Sequence, residues 1–155
     1  MFYSDLLLIL VFTVYRAIAD QVQLVHSKGQ LVQTSVDMAT ITFSDIRKLA
    51  ADQMRTHVDM YAPFLALPGS CPEYDAYCDN VENVSSAVWG GQTELSAIAA
   101  CLQVPIWVYE VGRPVLKMEN GNSDTDAVLK VSYHRHFYAL GEHYNSVKPV
   151  PQEVC

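Results

Sequence analysis

Apolar residues recur at helical spacing through the first two thirds of the chain. The first predicted helix covers residues 15–25 and carries Ile18, Val22 and Val25 on one face. A second predicted helix buries a longer apolar stripe, which consists of Ile46, Leu49, Ala50, Met54, Val58 and Tyr61. Prolines then mark the end of this helical pattern, first Pro63 and then the Pro68-Gly69 pair.

Local signals place the helix starts. Thr42 and Asp45 have the spacing of a capping box at the start of the second helix. Pro72 fits the first turn of a third helix, and the Gly90-Gly91 pair separates that helix from a fourth. The predicted apolar stripe of the third helix consists of Tyr74, Tyr77, Cys78, Val81 and Val84. The predicted stripe of the fourth consists of Leu95, Ile98, Ala99 and Leu102.

The remainder of the chain has the composition and spacing of β-strands. Residues 105–111 and 128–133 read as two strands, with a shorter one at 115–118 and a last one at 143–147. Residues 119–126 form a polar turn. Helices first and strands later, without regular βαβ alternation, predict an α+β domain with helices packed against a small β-sheet.

Composition limits the class of protein and its partners. The chain has 155 residues, of which 50% are apolar and 17% charged, so one domain with its own core is expected. It carries 10 basic and 17 acidic residues, a net charge of −7. Such a surface opposes nucleic acid and anionic membranes, whose phosphates require clusters of Lys and Arg. We therefore expect that the chain binds neither, and we also expect a monomer.

The cysteines and histidines do not predict a metal centre. The four cysteines are Cys71, Cys78, Cys101 and Cys155, without a CxxC pair or a Cys/His run at zinc spacing. His134 and His136 could share a strand, but two ligands are too few for zinc. We expect no metal or cofactor, and we expect the cysteines to be reduced. Cys78 and Cys101 fall in apolar helical stripes, so core positions are expected for both.

The start of the chain allows two interpretations of location. Residues 6–12 form an apolar run that is too short to span a bilayer. Such a run is typical of a signal peptide, and residues 17–19 would serve as its cleavage site, so residues 1–19 could direct secretion. Asp5 and the absence of Lys or Arg before the run oppose this interpretation. A cytoplasmic location is favoured, with secretion as the minor alternative.

Three stretches carry a resemblance to a known family. The sequences WGGQTEL at residues 89–95 and GEHYNSV at 141–147 resemble two segments of the ovarian-tumour (OTU) cysteine proteases. These are the WGG-x-x-EL segment and the strand that carries the catalytic histidine. The sequence YRAI at residues 15–18 resembles the start of the nucleophile helix. Within the family the chain is most similar to the OTU domain-containing protein 6 group.

The resemblance implies a domain organisation. An OTU domain, with the fold of the papain-like cysteine proteases, would cover residues 14–148, after an unrelated apolar segment at 1–13 and before a tail at 149–155. The family features begin abruptly at Val14. This edge suggests a truncated, alternatively spliced or mispredicted first exon.

The resemblance also assigns site residues, with one departure. Family members carry D-G-x-C before the nucleophile helix, and this chain has Leu-Val-Phe-Thr there. Thr13 therefore stands in the position of the nucleophilic cysteine and Leu10 in that of the aspartate. His143 would be the base, and Asn145 would orient its imidazole. The residues expected to contact ubiquitin or polyubiquitin are Trp89, Gly90, Gly91, Arg135, His136 and Glu142.

The substitution at residue 13 changes the expected activity. A thiol has a pKa near roughly 8.5 and ionises readily beside an imidazole, whereas an alcohol does not. Threonine nucleophiles elsewhere use a free N-terminal amine, which residue 13 cannot supply. We therefore expect a protein of the deubiquitinase family that is itself inactive. The alternatives are a pseudoenzyme that binds ubiquitin without cutting it and a secreted fragment of unrelated role.

Overall fold

A computed structural model describes residues 13–30, 34–86, 88, 90–119, 125–136 and 141–151. The helices are α1 (Thr13–Ser27), α2 (Phe43–Thr56), α3 (Val58–Tyr61), a 3-10 helix (Ala62–Leu65), α4 (Pro72–Glu82) and α5 (Gln92–Leu102). The strands are β1 (Ile106–Tyr109), β2 (Leu116–Met118), β3 (Leu129–His134) and β4 (His143–Ser146). The predicted α+β class is confirmed.

The four strands form one mixed sheet in the order β2-β1-β3-β4. The central pair, β1 and β3, is parallel, and the two outer pairs are antiparallel. This order makes β4 an edge strand, and α1 packs against it. The edge strand that carries the predicted base therefore lies beside the helix that carries the predicted nucleophile position.

Two apolar clusters hold the layers together. The larger joins α1, α2 and α5 to one face of the sheet, and its fully buried members include Ile18, Ile46, Ile98, Ile106 and Val131. The smaller lies under α3 and α4 and consists of Met54, Tyr61, Ala62, Tyr74, Cys78 and Ala97. The stripe predicted for the fourth helix, now α5, is buried throughout.

The second helix begins as predicted but ends earlier. Thr42 and Asp45 form the reciprocal capping box, in which the Asp45 carboxylate accepts the Thr42 N–H at 2.8 Å. The helix ends at Thr56, and His57 leaves helical geometry with φ −124° and ψ 53°. The prediction of one helix through Tyr61 is therefore wrong, because that residue belongs to the separate helix α3.

Val84 is also not part of a buried helical stripe. Helix α4 ends at Glu82, and Asn83 has extended backbone angles. The Asn83 side chain accepts the Ser85 N–H at 2.9 Å, which favours a turn over another helical residue. Val84 lies in that turn and is 39% exposed.

The predicted strands are present. β1, β2 and β4 are shorter than predicted, whereas β3 has the predicted length but starts and ends one residue later. Strand β1 stops at Tyr109 because the chain turns at once, with the Arg113 N–H donating to the Glu110 carbonyl. Gly112 adopts φ +75° in this turn, a left-handed conformation that favours glycine. No helix in the described ranges is long and apolar enough to cross a membrane. The apolar run at 6–12 lies outside them.

Candidate active site

The start of α1 is joined to the strand that carries His143. Thr13 is the first residue of the helix and is buried, with 8% of its surface exposed. Its hydroxyl oxygen accepts a hydrogen bond of 3.1 Å from the backbone N–H of Tyr144. Because Tyr144 directly follows His143, this bond brings the predicted nucleophile position against the strand of the predicted base.

A buried glutamine fixes the rest of α1 across the sheet. The side-chain amide of Gln21 donates to Ser146 Oγ at 2.7 Å and to the Val147 carbonyl at 2.8 Å. Its side-chain oxygen accepts the Lys130 N–H at 2.8 Å. Gln21 is not among the site residues predicted from the sequence, although it falls at helical spacing between Ile18 and Val25.

His143 and Asn145 meet on one face of β4. Nε2 of His143 lies 2.8 Å from Oδ1 of Asn145. An amide oxygen only accepts, so this contact makes Nε2 the donor and leaves the lone pair of a neutral imidazole on Nδ1. The structure thus places Thr13, His143 and Asn145 at one end of β4. Leu10 lies outside the described residues.

The two histidines of the 134–136 segment do not share a strand. Strand β3 ends at His134, and His136 is exposed beyond it, so pairing these two side chains along one strand is wrong. His134 instead lies directly opposite His143 across the β3–β4 pair. Ser132 lies opposite Asn145 in the same register, and its hydroxyl oxygen is 3.1 Å from Nε2 of His134.

The glycine pair serves helix packing and capping. Gly90 is buried, and a β-carbon there would lie 2.9 Å from Cζ of Tyr15 and would also overlap Val14. The backbone of Gly90 therefore approaches α1 closely. Gly91 caps α5, and its N–H donates to the Glu94 carboxylate at 2.7 Å. Trp89 lies outside the described residues.

Glu94 holds a buried polar cluster behind the site. It is 2% exposed, and its second carboxylate oxygen accepts a hydrogen bond of 2.5 Å from the Tyr77 hydroxyl. Burial, followed by the Glu94 charge, raises the pKa of Tyr77 and also that of the neighbouring Tyr15. Both phenols therefore stay neutral at physiological pH.

A groove of about 490 Å³ lies beside this end of the sheet. The residues that line it include Gly91, Glu110, Arg113, Tyr133, Arg135, Glu142 and Tyr144. Arg135 donates to Glu110 at 2.7 Å, and burial together with the Glu142 carboxylate raises the pKa of Tyr133 to about 12. Three of the predicted ubiquitin contacts, Gly91, Arg135 and Glu142, therefore share one surface. His136 is not among its lining residues.

Cys78 and Cys101 are poorly suited to replace the missing nucleophile. Cys78 is fully buried, whereas Cys101 is half-buried, so its predicted core position is only partly correct. Burial raises the pKa of both thiols, which is the opposite of what a nucleophilic cysteine needs. Within the described ranges, no group of three or more His, Cys, Asp or Glu side chains is arranged to hold a metal.

Sequence relatives agree with the motifs. The family model of the OTU-like cysteine proteases matches residues 14–144. The chain is 37% identical to Deubiquitinase OTUD6B of Gallus gallus over 86% of its own length and 41% of that relative. It is 33% identical to OTU domain-containing protein 6A of Mus musculus over 88% of its own length and 42% of that relative. The chain thus spans about two fifths of the relatives that it matches.

Solved structures share the fold at lower identity. The OTU domain of OTUD1 superposes with a TM-score of 0.60 at 17% identity, over 88% of this chain and 79% of that one. An OTU domain solved in complex with ubiquitin gives a TM-score of 0.50 at 19% identity, over 74% of this chain and 67% of that one. The family match, the motifs and the fold agree: the chain belongs to the OTU-like cysteine protease family and is close to its OTUD6 group.

Proposed function

We propose that this chain is a ubiquitin-recognising OTU domain that does not hydrolyse ubiquitin linkages as its sequence stands. Its family is a family of deubiquitinases, and several of its relatives carry that name. A solved member of the same fold is bound to ubiquitin. These relationships support the substrate class, and the residue at position 13 supports the lack of hydrolysis.

The observation that carries the proposal is the position of the Thr13 hydroxyl. It is buried and accepts the N–H of the residue after His143, at the end of the helix where the family has its cysteine. Cysteine-type hydrolysis needs a thiolate that attacks the carbonyl carbon while an imidazole takes the thiol proton. An alcohol holds its proton far more tightly, and removal of one member of such a unit costs several powers of ten in rate.

The arrangement of His143 and Asn145 supports a site that keeps a base and its orienting residue although the thiol is absent. With Nε2 bonded to Asn145, the lone pair of neutral His143 is on Nδ1, as a general base requires. Asn145 would hold the imidazole tautomer, which is the role of the asparagine in papain-like enzymes. We therefore assign His143 as the base and Asn145 as its positioning residue.

The groove supports recognition of an extended peptide tail. It lies beside β4, and Tyr144, the neighbour of His143, is part of its wall. Glu142 is exposed, while Glu110 is held by two arginines, Arg113 at 3.5 Å and Arg135 at 2.7 Å. This wall offers charged groups and apolar side chains together, which suits a tail that must be held for attack at its last carbonyl.

Two measurements test the proposal. Incubation with di-ubiquitins of every linkage should release no mono-ubiquitin above a control without protein, and turnover that disappears in Thr13→Ala would overturn the inactivity.

Isotope-labelled ubiquitin should show chemical-shift changes on addition of the chain. Glu142→Lys in the groove should weaken those changes, whereas Glu119→Lys, an exposed carboxylate that does not line the groove, should not. Unchanged ubiquitin spectra would contradict recognition.

A further inference from the structure

We infer that a groove at the end of β4 opposite His143 is a docking surface for an acidic peptide segment of a partner protein. This lysine groove has a volume of about 530 Å³, and its wall includes Lys28, Lys130 and Lys148. Lys28 follows the end of α1, Lys130 lies on β3, and Lys148 follows the end of β4. The fold thus brings three lysines that are distant in sequence to one groove.

The charge of the lysine groove is opposite to that of the whole chain. The chain has a net charge of −7 and five lysines, at positions 28, 48, 117, 130 and 148. Within the described ranges, three of these lysines line the groove, and Asp126 is the acidic residue of its wall. Lys148 also lies 3.3 Å from Asp20, but both side chains are exposed, so this ion pair contributes little and a carboxylate of a partner can replace it.

An aromatic side chain extends the positive surface across the sheet. Trp107 on β1 lies opposite Lys130 on β3 and Lys117 on β2, so the three side chains leave one face. The ammonium groups of Lys117 and Lys130 lie 4.5 Å and 5.6 Å from the centre of the Trp107 ring, within the range of a cation–π interaction. These contacts restrict two flexible side chains before a partner binds, which lowers the entropy cost of binding. Lys130 belongs to both the lysine groove and this row, so Lys117 adds a fourth ammonium group on the same face.

The other side chains of the wall favour a peptide over a polyphosphate. The wall includes apolar and aromatic residues, among them Leu24, Tyr109 and Val147, which suit a segment in which apolar side chains separate the carboxylates. Its described residues include no arginine, the side chain whose planar fork matches phosphate. The charge of −7 also repels a long polyanion such as nucleic acid or an anionic membrane, whereas a short acidic segment contacts only the groove.

The lysine groove is separate from the groove proposed to hold the ubiquitin tail. Among the described residues, the two grooves share no lining residue. Tyr144, near the start of β4, lines the ubiquitin groove, whereas Val147 and Pro149, which follow the end of that strand, line the lysine groove. An acidic segment can therefore dock while the ubiquitin groove is occupied, which would recruit the chain to the protein that carries the segment.

Peptide binding can be measured on the full chain by fluorescence polarisation. The probe is a rhodamine-labelled peptide of about twelve residues in which Glu alternates with Ala, and the control peptide has Gln in place of Glu. The Glu peptide should bind and the Gln peptide should not, because the lysines require negative charge. Binding should weaken as the NaCl concentration rises from about 50 to about 300 mM, since contacts between exposed charges are screened by salt.

A charge reversal in the groove provides the matched comparison. Lys28→Glu should weaken binding of the Glu peptide about fivefold, because it replaces an exposed attractive contact with a repulsive one. Lys48→Glu makes the same change in net charge at an exposed lysine that does not line the groove, so its affinity should stay within about twofold of the original. Circular dichroism of both variants should match that of the unaltered chain.

Three outcomes would overturn the inference. Equal affinities of Lys28→Glu and Lys48→Glu would show that the groove is not the binding surface, and equal binding of the Glu and Gln peptides would exclude recognition of carboxylates. Tighter binding to phosphatidylserine vesicles or a DNA oligonucleotide than to the Glu peptide would identify a phosphate ligand instead. Ubiquitin takes no part in these measurements, so their failure would leave its proposed recognition untouched.

Discussion

The Thr13 hydroxyl and the Tyr144 backbone are joined by a hydrogen bond of 3.1 Å. This bond fixes the start of α1 to β4 through a main-chain group, without using the His143 side chain. A threonine at residue 13 thus supports the geometry of the site, while the proton chemistry of a cysteine is absent. The structural and catalytic requirements at this position can therefore be tested separately.

Thr13→Val should destabilise the fold by about 1 kcal/mol, because it leaves the Tyr144 N–H without its acceptor while it keeps the shape of the side chain. Thr13→Ser keeps the hydroxyl and should cost less. Urea unfolding of the two variants provides the comparison. Equal stability of Thr13→Val and the unaltered chain would show that the bond contributes nothing.

Gln21→Met should cost about 2 to 3 kcal/mol, since it removes three hydrogen bonds to β3, β4 and the residue that follows β4. Gln23→Met is a control in the same helix. Gln23 is exposed and donates a hydrogen bond of 2.8 Å to the Ile41 carbonyl, so its replacement should cost less than about 1 kcal/mol. Similar losses in both variants would refute the special role of Gln21.

Gly90→Ala should destabilise the domain by about 1 to 3 kcal/mol or prevent its folding, because the new methyl group overlaps Val14 and Tyr15. Gly91→Ala is its neighbour control. The added carbon there meets only the Glu94 carboxylate, at 3.7 Å, so the cost should be limited to the poorer N-cap preference of Ala, about 0.5 to 1 kcal/mol. Thermal unfolding of both variants is the measurement. A larger loss in Gly90→Ala than in Gly91→Ala indicates that Gly90 is needed for packing against α1, whereas equal losses would contradict this.

Tyr15→Phe tests the buried polar cluster through pH. The Tyr15 hydroxyl is buried without a hydrogen-bond partner in the described part of the chain, so the variant should match or exceed the original stability at pH 7. Burial, and then the Glu94 charge, raises the Tyr15 pKa in the folded state. The neutral phenol therefore stabilises the fold fully below about pH 10, and this contribution is lost as pH rises above that value.

Unfolding free energies between pH 8 and 11 provide the measurement. Above about pH 10 the unaltered chain should lose roughly 1.4 kcal/mol per pH unit more than Tyr15→Phe, which has no phenol to ionise at that position. Tyr109→Phe, at the end of β1 and outside the core, is the control and should follow the unaltered chain. Parallel curves for the original protein and Tyr15→Phe would exclude the proposed linkage.

The helices and strands could be predicted because their sequence signals lie within a few neighbouring residues. The Thr42 capping box and the α5 stripe depend only on neighbours within four residues. Gln21 could not be predicted to contact Lys130 and Val147, because those partners lie more than a hundred residues away and meet it only through the sheet. The site residues could be located from the family motifs. Their contacts could be described only once the strand register was known.

The burial and contacts of Arg47 could not be predicted from the local sequence either. An arginine within a helix is usually a surface residue, yet Arg47 is fully buried. It donates to the Val81 carbonyl at 2.6 Å and to the Asn80 carbonyl at 2.8 Å, near the end of α4. That arrangement depends on how α2 crosses α4, which hydrophobic spacing does not define.

The most direct test restores the missing chemistry. The combined substitutions Leu10→Asp, Val11→Gly, Phe12→Asn and Thr13→Cys return an ionisable thiol and the family sequence before it. We predict that this variant is labelled by ubiquitin carrying a C-terminal electrophile, and that a further His143→Ala abolishes the labelling, since thiol and base act as one unit. A variant that folds and binds ubiquitin but is not labelled would contradict an OTU scaffold that lacks only its nucleophile motif.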